Sequence, residues 1–228
     1  MFCLGAISFL FSRDFTGLVV YIISSLVVIF LAMPVHEFAH GWAAYKLGDT
    51  TAKYQGRLTL NPVAHLDPLG ALCILLFGIG WARPVPVNPF NFKKRKRDMA
   101  ITALAGPLSN ILVAIVVVLI YDIFAIALHV PVSIYVAQFV SFFISVNCVL
   151  AVFNLLAIPP LDGYRIFGAV LPDKWTFKMA QYEQYIRFGL IIVLFTGLLD
   201  PVLNFLQRYA LNAVFWVAEL PFRLFGAI

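Results

Sequence analysis

From Gly17 to Val35 the chain carries no charged side chain. Wound as a helix, that stretch covers about 28 Å, close to the ~30 Å hydrocarbon layer of a bilayer. Directly after it come two imidazoles and a carboxylate, His36, Glu37 and His40. A chain with this run must bury it in a large core or place it in lipid. The composition favours lipid: 62% of the 228 residues are hydrophobic and 12% charged, too little polarity to cover a water-soluble domain. The aromatic share of 15%, with 22 phenylalanines, suits lipid-facing helices and interfacial belts.

Two more strong spans are expected, Ala100 to Tyr121 and Val132 to Ile158, then a shorter apolar stretch from Phe188 to Leu199. From Val202 onward Asn204, Arg208, Asn212 and Glu219 recur at helical spacing, which predicts an amphipathic or packed C-terminal helix. The expected fold is an all-α polytopic membrane protein. It forms one domain over 1–228, with a core at about 17–163 and C-terminal helices at about 184–228. Pro34 removes a backbone donor near the end of the first span, and the helical pattern resumes from His36 to Leu47 before Gly48 stops it. The two pieces read as one long or kinked helix. Between Asp49 and Asn91 the pattern changes to Thr, Gly, Asn and Pro with short β-prone runs, GRLTLNP and ARPVPVNP. A small membrane-associated β-structure is expected there. Between those runs ALCILLFGIGW is too short to cross and reads as a segment that dips in and returns.

The net charge of +5 does not call for a nucleic-acid partner, because the basic residues sit beside apolar spans, above all at Lys93-Lys94-Arg95-Lys96-Arg97. That run reads as a topological anchor on the cytoplasmic side. It brings the end of the first span and the Pro159 to Gly163 segment to the same, cytoplasmic depth. Cys3, Cys73 and Cys148 are scattered and form no CxxC pair, so they read as inert apolar fillers. The apolar N-terminus lacks a basic leader and a small-residue cleavage site, which predicts an interfacial or re-entrant segment rather than a removable signal.

HEFAH at 36–40 fits H-E-x-x-H. On a helix the two histidines share a face and reach one zinc ion, while Glu37 reaches the water beside it as a general base. Ionisable groups at the end of an uncharged span are costly unless paired or coordinated, so they mark a functional site. A catalytic zinc takes three protein ligands and leaves one position open. Asp162 in PPLDG is the expected third ligand, at the right depth and in a Pro/Gly segment that breaks the helix. Asp67 in HLDPLG is the competing carboxylate, its place before Pro68 suiting a turn cap.

HEFAH at 36–40, GRLTLNPVAHLDPLG at 56–70, WARPVPVNP at 81–89, LAGPLSN at 104–110 and FNLLAIPPLDG at 153–163 together resemble the site-2 proteases, in the order of the compact bacterial members without a PDZ domain. The resemblance covers most of the chain. It implies that His36, His40 and Asp162 hold one Zn2+ with Glu37 as the base, in a three-helix catalytic core with flanking β-structure. It implies a multi-pass cell-membrane endopeptidase cutting transmembrane proteins or peptides, with its active site near the cytoplasmic face. Ala157 departs from the usual NLLPIPPLDG, which alters the local bend but removes no ligand. Asn154 is a candidate for binding unwound substrate or the developing oxyanion, or else an interhelical hydrogen bond. His65 is a candidate electrophile or substrate contact, or else a turn-stabilising residue; His129 has no partner pattern. The segments 56–61 and 83–88 are expected to capture substrate by edge pairing. The competing readings are a membrane protein that uses the same ligands for structural zinc or metal transport, and a membrane scaffold. The scaffold leaves HEFAH unexplained.

Overall fold

The computed structural model describes residues 5–224, which leaves Cys3 outside the described residues. A short first helix, α1 (Gly5–Ser12), turns back at Arg13, whose φ of 56° lies in the left-handed region. Asp14 then caps α2 (Phe15–Val27) by accepting from the Gly17 amide at 2.9 Å. The α2 helix does not stop at Val27. It passes through a π-helical turn, Val28–Ala32, into α3 (Met33–Lys46), giving one continuous helix from Phe15 to Lys46. Pro34 accounts for the wide turn: it has no N–H to give, and its ring would press on the carbonyl of Phe30 in an evenly wound helix. The Met33 amide instead reaches back five residues to Val28.

Helices α4 (Thr51–Tyr54), α5 (Pro62–His65) and α6 (Pro68–Phe77) follow, and then the long α7 (Arg95–Asp122), which ends in a second π-helical turn, Ile123–Ala127. α8 (Ile134–Asn154), α9 (Asp162–Phe167), α10 (Asp173–Gln181), α11 (Glu183–Thr196) and α12 (Asp200–Leu224) complete the order. Among the described residues three helices are long and apolar enough to cross a membrane: Phe15–Lys46, Arg95–Ala127 and Ile134–Asn154. The bent pair α11 and α12, at 84° to one another, makes a fourth if counted as one span. α7 is central and packs against α3, α8, α9 and α12. Its contact with α8 and α12 is closed by Ala114, Val118, Ile144, Cys148, Val214 and Ala218. The opposite stripe, Leu108, Leu112, Val116 and Ile120, recurs every fourth residue and faces outward, Leu112 being 62% exposed. In water such a stripe is unfavourable; against lipid it is neutral.

No β-strand forms among the described residues, which corrects the expected β-structure between the first and second core helices. Several backbone groups of the β-prone runs are taken up by other partners. In the 83–88 run, Pro84 and Pro86 offer no N–H, so one edge loses two of its donors. Three of its amides are engaged: Arg83 N bonds His65 O at 2.8 Å, Val85 N the Glu37 carboxylate at 2.8 Å, and Asn88 N the Asp49 carboxylate at 2.7 Å. The Arg57 guanidinium donates to the carbonyls of Arg83 at 2.7 Å and Pro84 at 3.2 Å. In the 56–61 run, Asn61 caps α5 by accepting from Val63 N. These segments are irregular chain tied down by side chains.

ALCILLFGIGW folds as the expected reversal. α6 ends at Gly78 in the left-handed conformation, and the chain returns so closely that a Cβ on Gly80 would strike the Gly70 carbonyl. The Tyr21 hydroxyl fixes the hairpin to α2 by donating to Ile74 O at 2.6 Å. α6 covers about 15 Å, half a hydrocarbon layer.

Candidate metal centre

The α3 helix delivers His36 and His40 to one face, toward α7, and both are buried. Gly106 of α7 lies opposite; a Cβ there would collide with the Nε2 atoms of both histidines, so glycine permits this approach of α3 and α7. α8 ends at Asn154, and a turn through 155–161, closed by Ile158 N to Leu156 O and Leu161 N to Ile158 O, brings Asp162 in at the start of α9. One Asp162 carboxylate oxygen lies 3.3 Å from His36 Nε2 and 3.2 Å from His40 Nε2, and the two Nε2 atoms are 3.0 Å apart. Asp67, the competing carboxylate, is instead the cap of α6, accepting from Gly70 N at 2.8 Å.

The outer nitrogens decide what these three atoms need. His40 Nδ1 lies 2.7 Å from the Thr102 carbonyl, which can only accept, so that nitrogen carries a proton. For His36 the logic runs through two amides. Asn147 donates to the Phe143 carbonyl at 2.9 Å, which turns its own oxygen to Asn110 Nδ2 at 3.0 Å. Asn110 is thereby oriented with its oxygen 2.6 Å from His36 Nδ1, which must donate. In its neutral form each imidazole, protonated on Nδ1, presents a bare Nε2 lone pair to the other and to a carboxylate oxygen. Three lone pairs so converged suit a cation between them, and a single proton satisfies only two. Zinc with bonds of about 2.0–2.1 Å has neighbouring tetrahedral ligands about 3.3 Å apart, which the observed separations approach. His36, His40 and Asp162 thus fit a zinc ion, and they are the one such cluster among the described residues.

Glu37 lies next to His36 on the same helix, its carboxylate held by Val85 N at 2.8 Å. The segment that supplies this amide is gripped by Arg57. His65 lies apart from the three ligands: it is buried, Nε2 donates to Thr59 O at 2.8 Å, and Nδ1 has no partner among the described residues. Asn154 donates its amide to Leu150 O of its own helix at 2.9 Å.

Over 196 residues the chain is 43% identical to YwhC of Bacillus subtilis, a match covering 82% of this chain and 88% of that one. MJ0611 of Methanocaldococcus jannaschii is 31% identical over 165 residues, 71% of this chain and 77% of its own. Rip2 of Mycolicibacterium smegmatis is 29% identical over 194 residues, 82% of this chain and 69% of its own. All three are named putative zinc metalloproteases. This chain belongs to that zinc metalloprotease family. No family model matches it, and no solved structure does.

In this metalloprotease the outer partners Asn110, Asn147 and Thr102 are the residues that reading the sequence missed. Each is buried within an apolar span. A signal was present: an amide inside a hydrophobic helix is costly unless it finds a partner, and both Asn110 and Asn147 lie in such runs.

Proposed function

We propose that this chain is an intramembrane zinc endopeptidase of the site-2 protease type, hydrolysing peptide bonds in or near transmembrane segments of other proteins. The observation that carries the reading is the convergence of three lone pairs, from His36, His40 and Asp162, at the end of an apolar helix. The family relationship supports the chemistry, and the lipid-like surface of α7 supports the setting. In this reading the chain is a multi-pass protein of the cell membrane, folded as one domain around α3, α7 and α8. The basic run at 93–97 supports a position of the ligands near the cytoplasmic face.

His36, His40 and Asp162 would hold one zinc ion. Bound there, zinc supplies Lewis-acid polarisation of water and of the scissile carbonyl. Glu37 accepts the proton that the attacking water gives up, and passes it to the leaving amine nitrogen as the C–N bond breaks. The amide of Val85 keeps the Glu37 carboxylate oriented for that transfer, and Arg57 steadies the segment carrying the amide. Asn110 and Thr102 keep both histidines in the tautomer that leaves Nε2 free. A helical substrate must unwind locally, since its carbonyls are hydrogen-bonded four residues on. Asn154 has an unused amide oxygen near the end of α8, and His65 a bare buried nitrogen. Both are assigned here to substrate contact, a role separable from zinc binding.

A structural or transported zinc is the competing reading. A structural site usually closes with a fourth protein ligand, and the cluster among the described residues has the three named. The test is Glu37→Gln in purified, detergent-solubilised protein, with bound zinc and cleavage of an apolar transmembrane peptide measured together. Zinc content is expected to stay, and cleavage to fall by about 10²-fold or more. Equal cleavage by both proteins would overturn the assignment.

A further inference from the structure

The basic run that opens α7 is the rim of a cleft. Residues 93–97 line one end of an open cavity of about 870 Å3, and the rest of its lining is apolar: Ala100, Ile101 and Leu104 of α7, with Ile166 of α9 and Ala169 just after it. Two of the five cations are neutralised. Arg97 pairs with Asp98 at 2.8 Å and Lys96 with Asp173 at 2.7 Å. Arg95 lies over the Phe90 ring at 4.6 Å, which leaves its charge uncompensated. Among the described residues neither Lys93 nor Lys94 has a carboxylate at ion-pair distance. Beyond Asp98 no charged residue occurs in α7 before Asp122, so the cleft changes polarity once, from cationic rim to apolar floor.

That single change matches the polarity of a lipid with a negatively charged head. A nucleic acid, an acidic peptide or free phosphate would satisfy the rim and leave Ile101, Leu104 and Ile166 uncovered. We propose that this cleft binds one anionic phospholipid, its phosphate among Lys93, Lys94 and Arg95 and an acyl chain between Leu104 and Ile166. The site joins two elements that the metal centre depends on. α7 carries Thr102, Gly106 and Asn110 against the histidines, and α9 begins with Asp162. A lipid wedged between them braces both halves of the ligand set, so anionic lipid is expected to tighten zinc retention. This coupling rests on the zinc reading above, whereas the binding itself rests only on the membrane setting.

The test is native mass spectrometry of the purified full chain with phosphatidylglycerol or phosphatidylcholine, in the presence and absence of glycerol phosphate. Phosphatidylglycerol is expected to be retained roughly ten-fold better, the preference to shrink as salt is raised, and glycerol phosphate to compete poorly. Lys93→Gln/Lys94→Gln/Arg95→Gln should lose the preference. Ala100→Trp, which keeps every charge and fills the floor, should lose lipid retention; it guards against a topology change in the charge variant. Equal retention of both lipids, an unchanged preference in the triple variant, or competition by glycerol phosphate as strong as by the lipid would each overturn the site. Extraction of the chain from membranes by alkaline carbonate reports separately on the membrane setting, so loss of lipid preference in a firmly integrated protein counts against this inference alone.

Discussion

Asn110 is far from His36 in the chain, yet it fixes which imidazole nitrogen is left free. Replacing it with alanine removes the acceptor for His36 Nδ1 and strands the Asn147 oxygen in a buried site. Zinc affinity of Asn110→Ala is expected to fall roughly 10–100-fold, read by competition with a chelating dye, while Ser109→Ala on the next residue should leave it unchanged. Equal affinities would show that the amide relay does not set the tautomer. Legibility at this scale followed sequence distance. HEFAH could be read because both histidines and Glu37 lie within two helical turns, where spacing alone fixes the shared face. Asp162 followed from depth and the helix-breaking prolines. The LAGPLSN block was read for its small residues, and Gly106 is indeed where α3 approaches. Its asparagine acts only through a partner on α8, and helix rotation, which decides that pairing, is not written in either segment alone.

At the scale of elements, the loop before α7 was the least legible part. β-propensity in RPVPVNP describes a preference for extended backbone, but a strand also needs a partner edge, and the alternating prolines deny it one. Side chains of α3 and of the turn after it do the holding instead. Asp49 accepts from Thr51 N at 3.0 Å, Asn91 Nδ2 at 2.7 Å and Asn88 N at 2.7 Å. Burial alone would raise its carboxyl, but these donors and the Thr51 hydroxyl outweigh burial and hold it below its ordinary value. A folded value lower than the unfolded one, about 3.9, contributes stability above that pH and loses it as pH falls through the folded value. The melting temperature of wild type should therefore exceed that of Asp49→Asn most above about pH 5, with the gap narrowing as pH falls below about 3.9. A gap that is constant across this range would show that the charge is not what ties the loop to α3.

For the whole molecule, the core and the ligands are separate sets. The cluster around Ala114, Val118, Ile144, Cys148, Val214 and Ala218 includes none of His36, His40 and Asp162. Stripping metal with a chelator is expected to abolish cleavage and leave the far-ultraviolet circular dichroism unchanged. Collapse of the helical signal would instead point to a structural zinc, as in domains that fold only around their metal. The number and order of long helices could be read from hydropathy because lipid demands it of each span independently. What hydropathy cannot register is the winding between Val28 and Ala32. A π-helical turn carries one residue more than an even helix would use, so the faces of α2 and α3 are out of phase by about 100°. Cutting one residue from that turn would leave every ligand in place in the chain and swing both imidazoles a quarter-turn or more away from Asp162. The length of this stretch is therefore as binding a constraint on the metal centre as the identity of its histidines.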